Sequence, residues 1–309
     1  MSTESQVDGD GHVFDLREQH CPTCGPVGTR VIGLRGGEFH RYGQGVPSTI
    51  VQCVKCTLLF PNPFPIPRNA NDLYGDPAKY FAAHDEAEKI TLFRSLIREL
   101  KQLSGRPNPS LLDVGSGRGE LLVAAKAEGL TSIVGLETTA AMIVYARETH
   151  AVHLIAQRIE EFARESTQRF DAVALSAVLE HVYDPDAMIA AVAELTTPGA
   201  IVYIDVPNEP NLLTRVGNLA NRLRGSRAVY NLSPTFAPFH VYGFNPRALD
   251  ALLSKHRFVL EKLAVESAGT VSSRPQWRDR MKALAATQVK RLSKLTRDGN
   301  NITAWARRV

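Results

Sequence analysis

Four cysteines in two matched pairs are the residues of this sequence best suited to hold a metal ion. Cys21 pairs with Cys24 and Cys53 with Cys56, each with the spacing C-x-x-C, and the chain has no other cysteine. Two such pairs can place four thiolates around one tetrahedral ion and leave no coordination position open. Two disulfides or four buried thiols are the alternatives, but the matched spacing favours a metal. We therefore predict a structural zinc site.

A glycine-rich turn followed by an acidic residue is the second chemical feature. Gly115, Gly117 and Gly119 follow a short apolar run, and glycine allows a sharp turn and the close approach of a ligand. Glu137 ends the next apolar run, where its carboxylate could accept hydrogen bonds from both hydroxyls of a ribose. A dinucleotide site would need a third glycine at the position of Glu120. The turn therefore favours a nucleoside ligand without phosphates.

Two of the nine histidines are candidates for a general base. His181 follows the predicted fourth strand of the sheet described below, and His240 follows the fifth strand and a basic stretch. An unperturbed imidazole has a pKa near ~6.5, which suits removal of a proton from a hydroxyl acceptor. We rank His240 ahead of His181, because His181 could equally be a structural residue at the entry of a helix.

These residues must be positioned by a sheet whose strands alternate with helices. Apolar runs at 111–114, 132–136, 153–156, 172–175 and 200–206 predict five strands, and the segments between them have helical patterns. Two closing strands are predicted at 258–265 and 301–309. This alternation predicts a doubly wound, Rossmann-like α/β domain with a mostly parallel, seven-stranded sheet.

The α/β domain is one of three predicted parts of the chain. Residues 1–65 are interpreted as a zinc-ribbon module and 66–108 as a helical connector and cap, with a helical pattern at 76–104. Residues 109–309 form the α/β domain, which includes a lid at 208–240 and a basic helical insertion at 270–298. Apolar residues of the lid recur at helical spacing, and we expect that stripe to contact the core.

The amino-acid composition indicates the class of protein and the cellular compartment. A chain of 309 residues with 44% hydrophobic and 22% charged residues is ordinary for a globular protein with a sizeable core. No apolar run approaches the ~18 residues of a membrane helix, and residues 1–11 are too polar for a signal or transit peptide. Thiols arranged as metal ligands fit a reducing compartment, so we expect a cytoplasmic protein.

Positive charge is concentrated in one segment. The formal net charge is +4, yet eight basic residues and one acidic residue between Arg274 and Arg297 give that segment alone a charge of +7. A solvated helix face is the simplest explanation. Peripheral contact with an anionic membrane, burial against the domain and pairing with a second subunit stay open.

From about residue 109 onward, the chain resembles class I S-adenosylmethionine-dependent methyltransferases. The motifs that carry the resemblance are 111–119 (LLDVGSGRG), 134–137 (VGLE), 170–173 (FDAV), 178–185 (VLEHVYDP), 198–200 (PGA) and 207–208 (PN). The upstream part resembles bacterial members of this group that have a four-cysteine zinc ribbon, a proline-rich exit and a Tyr-Phe pair, here Tyr80 and Phe81.

The resemblance implies S-adenosyl-L-methionine as the cofactor. Asp113 would bind the amino group of its methionine part, with Ser176 near that part, Glu137 on the ribose, Thr138 beside the adenine, and Tyr80 as a cap. Many relatives have an acid after the third strand that binds the adenine amino group, whereas this chain has Gln157, so the Gln157 side chain or the Ile159 backbone would substitute. The implied cofactor residues are Asp113, Gly115, Ser116, Gly117, Gly119, Glu137, Thr138, Gln157, Ile159, Ser176 and Tyr80.

A catalytic metal is not expected. Some relatives bind a divalent ion through the pattern Glu-x-x-Glu-His and a later histidine. Glu180 and His181 match the end of that pattern, but Ala177 stands where the first acid belongs. The structural zinc would then be the only metal.

We therefore predict a methyltransferase that acts, chiefly at oxygen, on a saccharide, a glycan or another small molecule. An RNA methyltransferase is the first alternative, but the ribbon lacks the basic and aromatic surface that follows a nucleic acid strand. A non-catalytic zinc-ribbon scaffold that keeps the fold is the second. The oligomeric state is not predicted.

Overall fold

The computed structural model describes residues 4–69, 85–266 and 298–309. Tyr80, Phe81 and the first part of the helix predicted at 76–104 lie outside these ranges. The insertion predicted at 270–298 also lies outside them, apart from its last residue.

Two small antiparallel sheets form the N-terminal part. Their strands are β1 (Glu4–Val7), β2 (Val13–Arg17), β3 (Thr29–Arg35), β4 (Ser48–Cys53), β5 (Leu59–Pro61) and β6 (Phe64–Pro67). One sheet has the order β1-β2-β6 and the other β3-β4-β5. The sequence analysis noted only a proline-rich exit here and did not predict the strand β6 within it. Pro65 and Pro67 are tolerated there because β6 is an edge strand.

Seven helices and six strands follow in the described part of the chain. The helices are α1 (Glu86–Ser104), α2 (Glu120–Ala127), α3 (Ala140–His150), α4 (Ile159–Glu165), α5 (Pro185–Leu195), α6 (Leu212–Leu223) and α7 (Pro246–Lys255). The strands are β7 (Leu111–Val114), β8 (Ile133–Leu136), β9 (Phe170–Ser176), β10 (Thr196–Pro207), β11 (Phe258–Glu266) and β12 (Asn301–Arg308).

These strands form one mixed sheet of order β11-β12-β10-β9-β7-β8. The pairs among β10, β9, β7 and β8 are parallel, and β12 runs antiparallel to both β10 and β11. The predicted Rossmann-like, mostly parallel α/β fold is confirmed. The strand predicted at 153–156 is reduced to a single bridge between Ile155 and Leu136, because the chain turns at Gln157, whose N–H donates to the Ile155 carbonyl.

Helices cover both faces of the sheet, as the strand pattern requires. Leu111 and Tyr203 point to the face that α1 and α2 cover, whereas Leu112 and Ile204 point to the opposite core, which includes α4, α5 and α7. Because side chains alternate along a strand, four consecutive buried residues in β7 are expected only between two layers of helices. The glycine-rich turn therefore starts at the carboxyl end of β7, the end of the parallel strands at which such folds bind ligands.

The lid helix α6 overturns one expectation. Its apolar residues Leu213, Val216, Leu219 and Leu223 are 47% to 81% exposed, whereas its one fully buried residue is Asn218. The predicted contact of the apolar stripe with the core is therefore wrong. The cause is a polar network beneath the helix, in which the Asn218 amide donates to Asn231 Oδ1 over 2.6 Å.

Within the described ranges, no helix has both the length and the apolar character required to cross a bilayer.

Candidate functional site

The four cysteines lie together. Their sulfur atoms all lie within 4.8 Å of one another, in the set Cys21, Cys24, Cys53 and Cys56. The sulfur atoms of Cys21 and Cys56 are 3.5 Å apart. None is in a disulfide. A tetrahedral site with Zn–S bonds of about 2.3 Å needs sulfurs about 3.8 Å apart, so the cluster fits a zinc ion.

Each cysteine pair closes a tight turn. Gly25 N–H donates to the Cys21 carbonyl over 2.8 Å, and Thr57 N–H donates to the Cys53 carbonyl over 3.1 Å. Gly25 and Thr57 both have positive φ angles, of 71° and 69°. The two turns thus have the same form, which brings both pairs of thiols to one point.

The cysteine module also holds the end of the lid. Leu34 exchanges backbone hydrogen bonds with residues 227 and 229, and Leu59 exchanges two with Gly243. Thr235 Oγ1 accepts from the Val46 N–H over 3.0 Å. Three of the cysteines belong to the same buried core as Tyr242. The segment that carries His240 is therefore built on the cysteine module, although the predicted boundaries at 65 and 108 stay predictions.

The three glycines of the glycine-rich turn have backbone angles that other residues rarely adopt. Gly115, Gly117 and Gly119 have φ angles of 70°, 53° and 84°, in the left-handed region that favours glycine. A Cβ atom on Gly115 would lie 2.7 Å from Val178 Cγ2. Because Val178 lies two residues before Glu180, this contact sets the turn directly beside the segment that carries His181.

Glu137 organises this turn. Its carboxylate accepts from the N–H groups of Gly117, Thr138 and Thr139 over 2.7 to 2.8 Å. A carboxylate has about four lone-pair positions, so about one stays free for a ligand. To accept hydrogen bonds from both ribose hydroxyls, as the sequence analysis expects, Glu137 would have to give up one of these three backbone hydrogen bonds.

Asp113 is a buried carboxylate with an unused oxygen. It is 3% exposed, and its Oδ2 has no hydrogen-bond partner in the described part of the chain. Burial raises the pKa of Asp113 to about 7. An orphaned buried carboxylate oxygen is costly unless a ligand meets it, and a cationic amino group is a matching partner.

The other described residues predicted to bind the cofactor lie near the carboxyl ends of the parallel strands. Ser176 ends β9, Ser116 is buried in the turn, and Thr138 is exposed beside Glu137. Gln157 is engaged elsewhere, since its amide donates to Glu165 Oε2 over 2.7 Å. Ile159 is buried at the start of α4, so only its backbone could meet a ligand.

Glu120, which stands where a dinucleotide site would need its third glycine, is buried in a cluster of ion pairs. It is 1% exposed, and its carboxylate is paired with the Arg118 guanidinium at 2.8 Å and with Lys89 at 3.6 Å. The side chain therefore points into an ionic cluster at the start of α2.

The two candidate bases form one site. The rings of His181 and His240 meet edge to face with centroids 4.8 Å apart, and a donor atom of Glu180 lies within 4.8 Å of both histidines. The Glu180 carbonyl accepts from the N–H groups of Val241 and Tyr242 over 2.9 and 3.2 Å, which fixes the lid segment at this point. The sequence analysis treated the histidines as alternatives and considered Glu180 only as part of an incomplete metal-binding pattern.

Burial shifts the pKa values of Glu180, His181 and His240 in the direction that favours the neutral form of each group. It raises the pKa of Glu180 to about 8, and it lowers that of His181 to about 4. Burial, together with the neighbouring His181, lowers the pKa of His240 to about 3. The assumption of an unperturbed imidazole was therefore wrong: both imidazoles are neutral at pH 7, and each is a weaker base than a free imidazole.

Fold and site together define a class of protein. A Rossmann-like sheet with a glycine turn, a buried orphan carboxylate and an acid at the end of the second strand could hold a nucleoside-type ligand.

A family model described as a methyltransferase domain matches residues 88–263, more than half of the chain. The chain belongs to this methyltransferase domain family, and the predicted family relationship is confirmed.

Curated relatives and solved structures agree with this assignment. The chain is 34% identical over 115 residues to the ubiquinone biosynthesis O-methyltransferase of Serratia proteamaculans, covering 35% of this chain and 47% of that protein. It is 29% identical over 191 residues to the enzyme of the same name from Hydrogenovibrio crunogenus, covering 59% and 73%. The chain spans less than half the length of the first curated relatives it matches.

A SAM dependent methyltransferase from Archaeoglobus fulgidus superimposes with a TM-score of 0.52 and 16% identity, covering 75% of this chain and 97% of that one. At this identity the likeness shows a shared fold alone.

Proposed function

We propose that this protein transfers a methyl group from S-adenosyl-L-methionine to a hydroxyl oxygen of a small molecule. One observation carries the proposal: Val178 joins the glycine turn to the Glu180-His181-His240 cluster, so a ligand site and a proton acceptor share one sheet edge. The curated relatives are named as O-methyltransferases, which supports transfer to oxygen.

The described residues offer partners for two parts of the cofactor, the amino group of its methionine and its ribose. Asp113 Oδ2 would meet the amino group, the backbone at Gly115 and Gly117 would lie along the ligand, and the free lone pair of Glu137 would accept from the ribose. When bound, the cofactor supplies an electrophilic methyl group. The remaining work of the protein is to align the acceptor and to accept its proton.

His240 is the proposed base, with His181 beside it. Both imidazoles are neutral at pH 7 because burial lowers the pKa of each. The Glu180 carboxyl, whose pKa burial raises to about 8, is then also mostly protonated and does not hold a proton on either ring as an ion pair. A neutral imidazole at the lid can therefore take the hydroxyl proton as the acceptor oxygen becomes more acidic during transfer.

The four-cysteine cluster is proposed to hold structural zinc. Four thiolates complete a tetrahedral shell, which leaves no position for a substrate. Its role would be to fix the module on which the lid is built.

The acceptor class is tested by methyl transfer from labelled S-adenosyl-L-methionine to three sets of compounds: phenols, saccharides and RNA. We expect transfer to a small hydroxyl compound, and a saccharide or glycan is the acceptor that we propose. Preferential labelling of RNA with a steep salt dependence would overturn a small-molecule acceptor. Absence of transfer to all three sets would contradict the proposed activity.

Cofactor affinity should depend on pH through Asp113. Its raised pKa of about 7 means that the free protein holds Asp113 mostly protonated in weak acid, whereas a ligand ammonium requires the ionised carboxylate. Affinity for S-adenosylhomocysteine should therefore rise with pH through the pKa of about 7, by about tenfold or more from about pH 5.5 to 7.5. Calorimetric titration at several pH values measures this change.

Asp113→Asn is the matched control, because it keeps the shape and removes the titration. Its affinity should be lower and independent of pH over the same range. A wild-type affinity that does not change with pH would remove Asp113 from the cofactor site.

A further inference from the structure

The outer face of α6 is apolar and exposed. Leu213 is 55% exposed, Val216 47%, Leu219 57% and Leu223 81%. At about 100° per residue these four side chains occupy about one third of the helix circumference, and we call them the α6 apolar face. A contiguous apolar stripe on a helix surface marks an interaction site more often than single exposed residues do.

The α6 apolar face is held outward by hydrogen bonds on the opposite side of the helix. Asn218 accepts from the Tyr230 N–H over 2.9 Å and donates to Asn231, whose own amide donates to Glu209 Oε2 over 2.9 Å. Glu209 in turn accepts from the Leu232 N–H at 3.1 Å. Turning the apolar stripe inward would bury it against these groups and break the network, so its exposure is a fixed property of the fold.

Positive charge flanks this face along one side and at its C-terminal end. From residue 210 to residue 244 the chain has four arginines and no aspartate or glutamate. Arg215 and Arg222 lie along one side of the stripe in helical projection, and Arg224 and Arg227 follow its C-terminal end. All four are exposed, and Arg215 is paired with Asp298 at 3.6 Å.

We propose that α6 lies on the surface of an anionic lipid bilayer. The apolar face would enter the boundary between headgroups and acyl chains, and the arginines would meet lipid phosphates. Amphipathic helices with an apolar stripe and a basic polar face bind in this way.

Charge distinguishes this occupant from a second copy of the chain. In a two-fold symmetric dimer the same surface patch meets itself, so the arginines around one face would approach those around the other. Residues 210–244 contain no acid to neutralise them, and the ion pair with Asp298 involves only Arg215. A lipid surface of opposite charge has no such penalty.

Co-sedimentation with vesicles tests the proposal directly. The full chain should bind vesicles of equal parts phosphatidylglycerol and phosphatidylcholine at least about tenfold more tightly than vesicles of phosphatidylcholine alone, and added salt should weaken binding. Leu219→Glu combined with Leu223→Glu should reduce binding by more than about tenfold. Arg224→Ala and Arg227→Ala should each reduce it by about fivefold.

Val259→Glu is the matched control, because Val259 is 52% exposed on β11 and lies outside the α6 apolar face. This variant should bind vesicles as the wild type does. A Leu223→Trp variant should show a blue-shifted fluorescence on addition of the anionic vesicles, whereas Val259→Trp should not.

Three results would overturn the proposal: no binding of the wild type to the anionic vesicles, an equal loss of binding in Val259→Glu, or no shift in Leu223→Trp. A dimer that the double glutamate variant disrupts would instead make the α6 apolar face a subunit interface. None of these measurements uses methyl transfer, so their failure would leave the proposed activity untouched.

Discussion

Replacing Cys24 with serine is expected to release the zinc and to lower the rate of methyl transfer by at least about 100-fold. Structural zinc in small fingers contributes about 10–16 kcal/mol of binding free energy, so loss of one thiolate should be severe. The effect on rate follows from the backbone hydrogen bonds that Leu34 and Leu59 make before and after His240, to residues 227 and 229 and to Gly243. Elemental analysis measures the zinc content of the protein. Hydrogen exchange of the backbone amides at residues 34, 59 and 243 measures whether the cysteine module still holds the segment that carries His240.

Thr23→Ser is the control, because it changes a residue of the same turn and keeps all four thiols. Full zinc content in Cys24→Ser would refute the metal site. Loss of zinc with unchanged protection at Gly243 would instead show that the lid does not depend on the cysteine module.

Replacing His240 with alanine is expected to lower the rate of methyl transfer by about 100-fold to 10,000-fold, the usual range for a general base. Affinity for S-adenosylhomocysteine should stay within about twofold, since the proposed cofactor contacts of Asp113 and Glu137 lie elsewhere on the sheet edge. The wild-type rate should not fall between about pH 8 and 6 through protonation of the base. A base works above its pKa, and the pKa values of His240 and His181 are lowered to about 3 and 4.

His153→Ala removes an exposed histidine and should leave the rate unchanged. Equal activity of His240→Ala and the wild type, together with a large loss in His181→Ala, would make His181 the base. With S-adenosyl-L-methionine kept saturating at every pH, so that the titration of Asp113 does not limit binding, a fall in rate centred near pH 6.5 would contradict the buried, neutral state of the pair.

The sequence predicts the sheet well where strands are short, apolar and closed by glycine. The strand expected at 111–114 has those bounds in the structure, because four apolar or buried residues end at the Gly115 turn. The strand expected at 153–156 fails because it lies at the edge, where Ile155 finds one partner and is 39% exposed. Edge pairing depends on a neighbour that local pattern does not reveal.

The site is only partly visible in the sequence, because its assembly rests on distant contacts. His181 and His240 meet because the Glu180 carbonyl accepts from Val241 and Tyr242, which local patterns do not encode. Periodicity identifies α6 as amphipathic but cannot tell which face is covered. That choice depends on Asn218, whose partner Asn231 lies beyond the end of the helix.

Calorimetric titration with S-adenosylhomocysteine tests the central claim most directly, with NADH as the comparison ligand. The site has an orphan carboxylate at Asp113, and Glu120 replaces the third glycine of a dinucleotide site. It should therefore bind S-adenosylhomocysteine at micromolar concentration and should not bind NADH. Failure of folded, zinc-loaded protein to bind S-adenosylhomocysteine, or tighter binding of NADH, would contradict the proposed methyltransferase site.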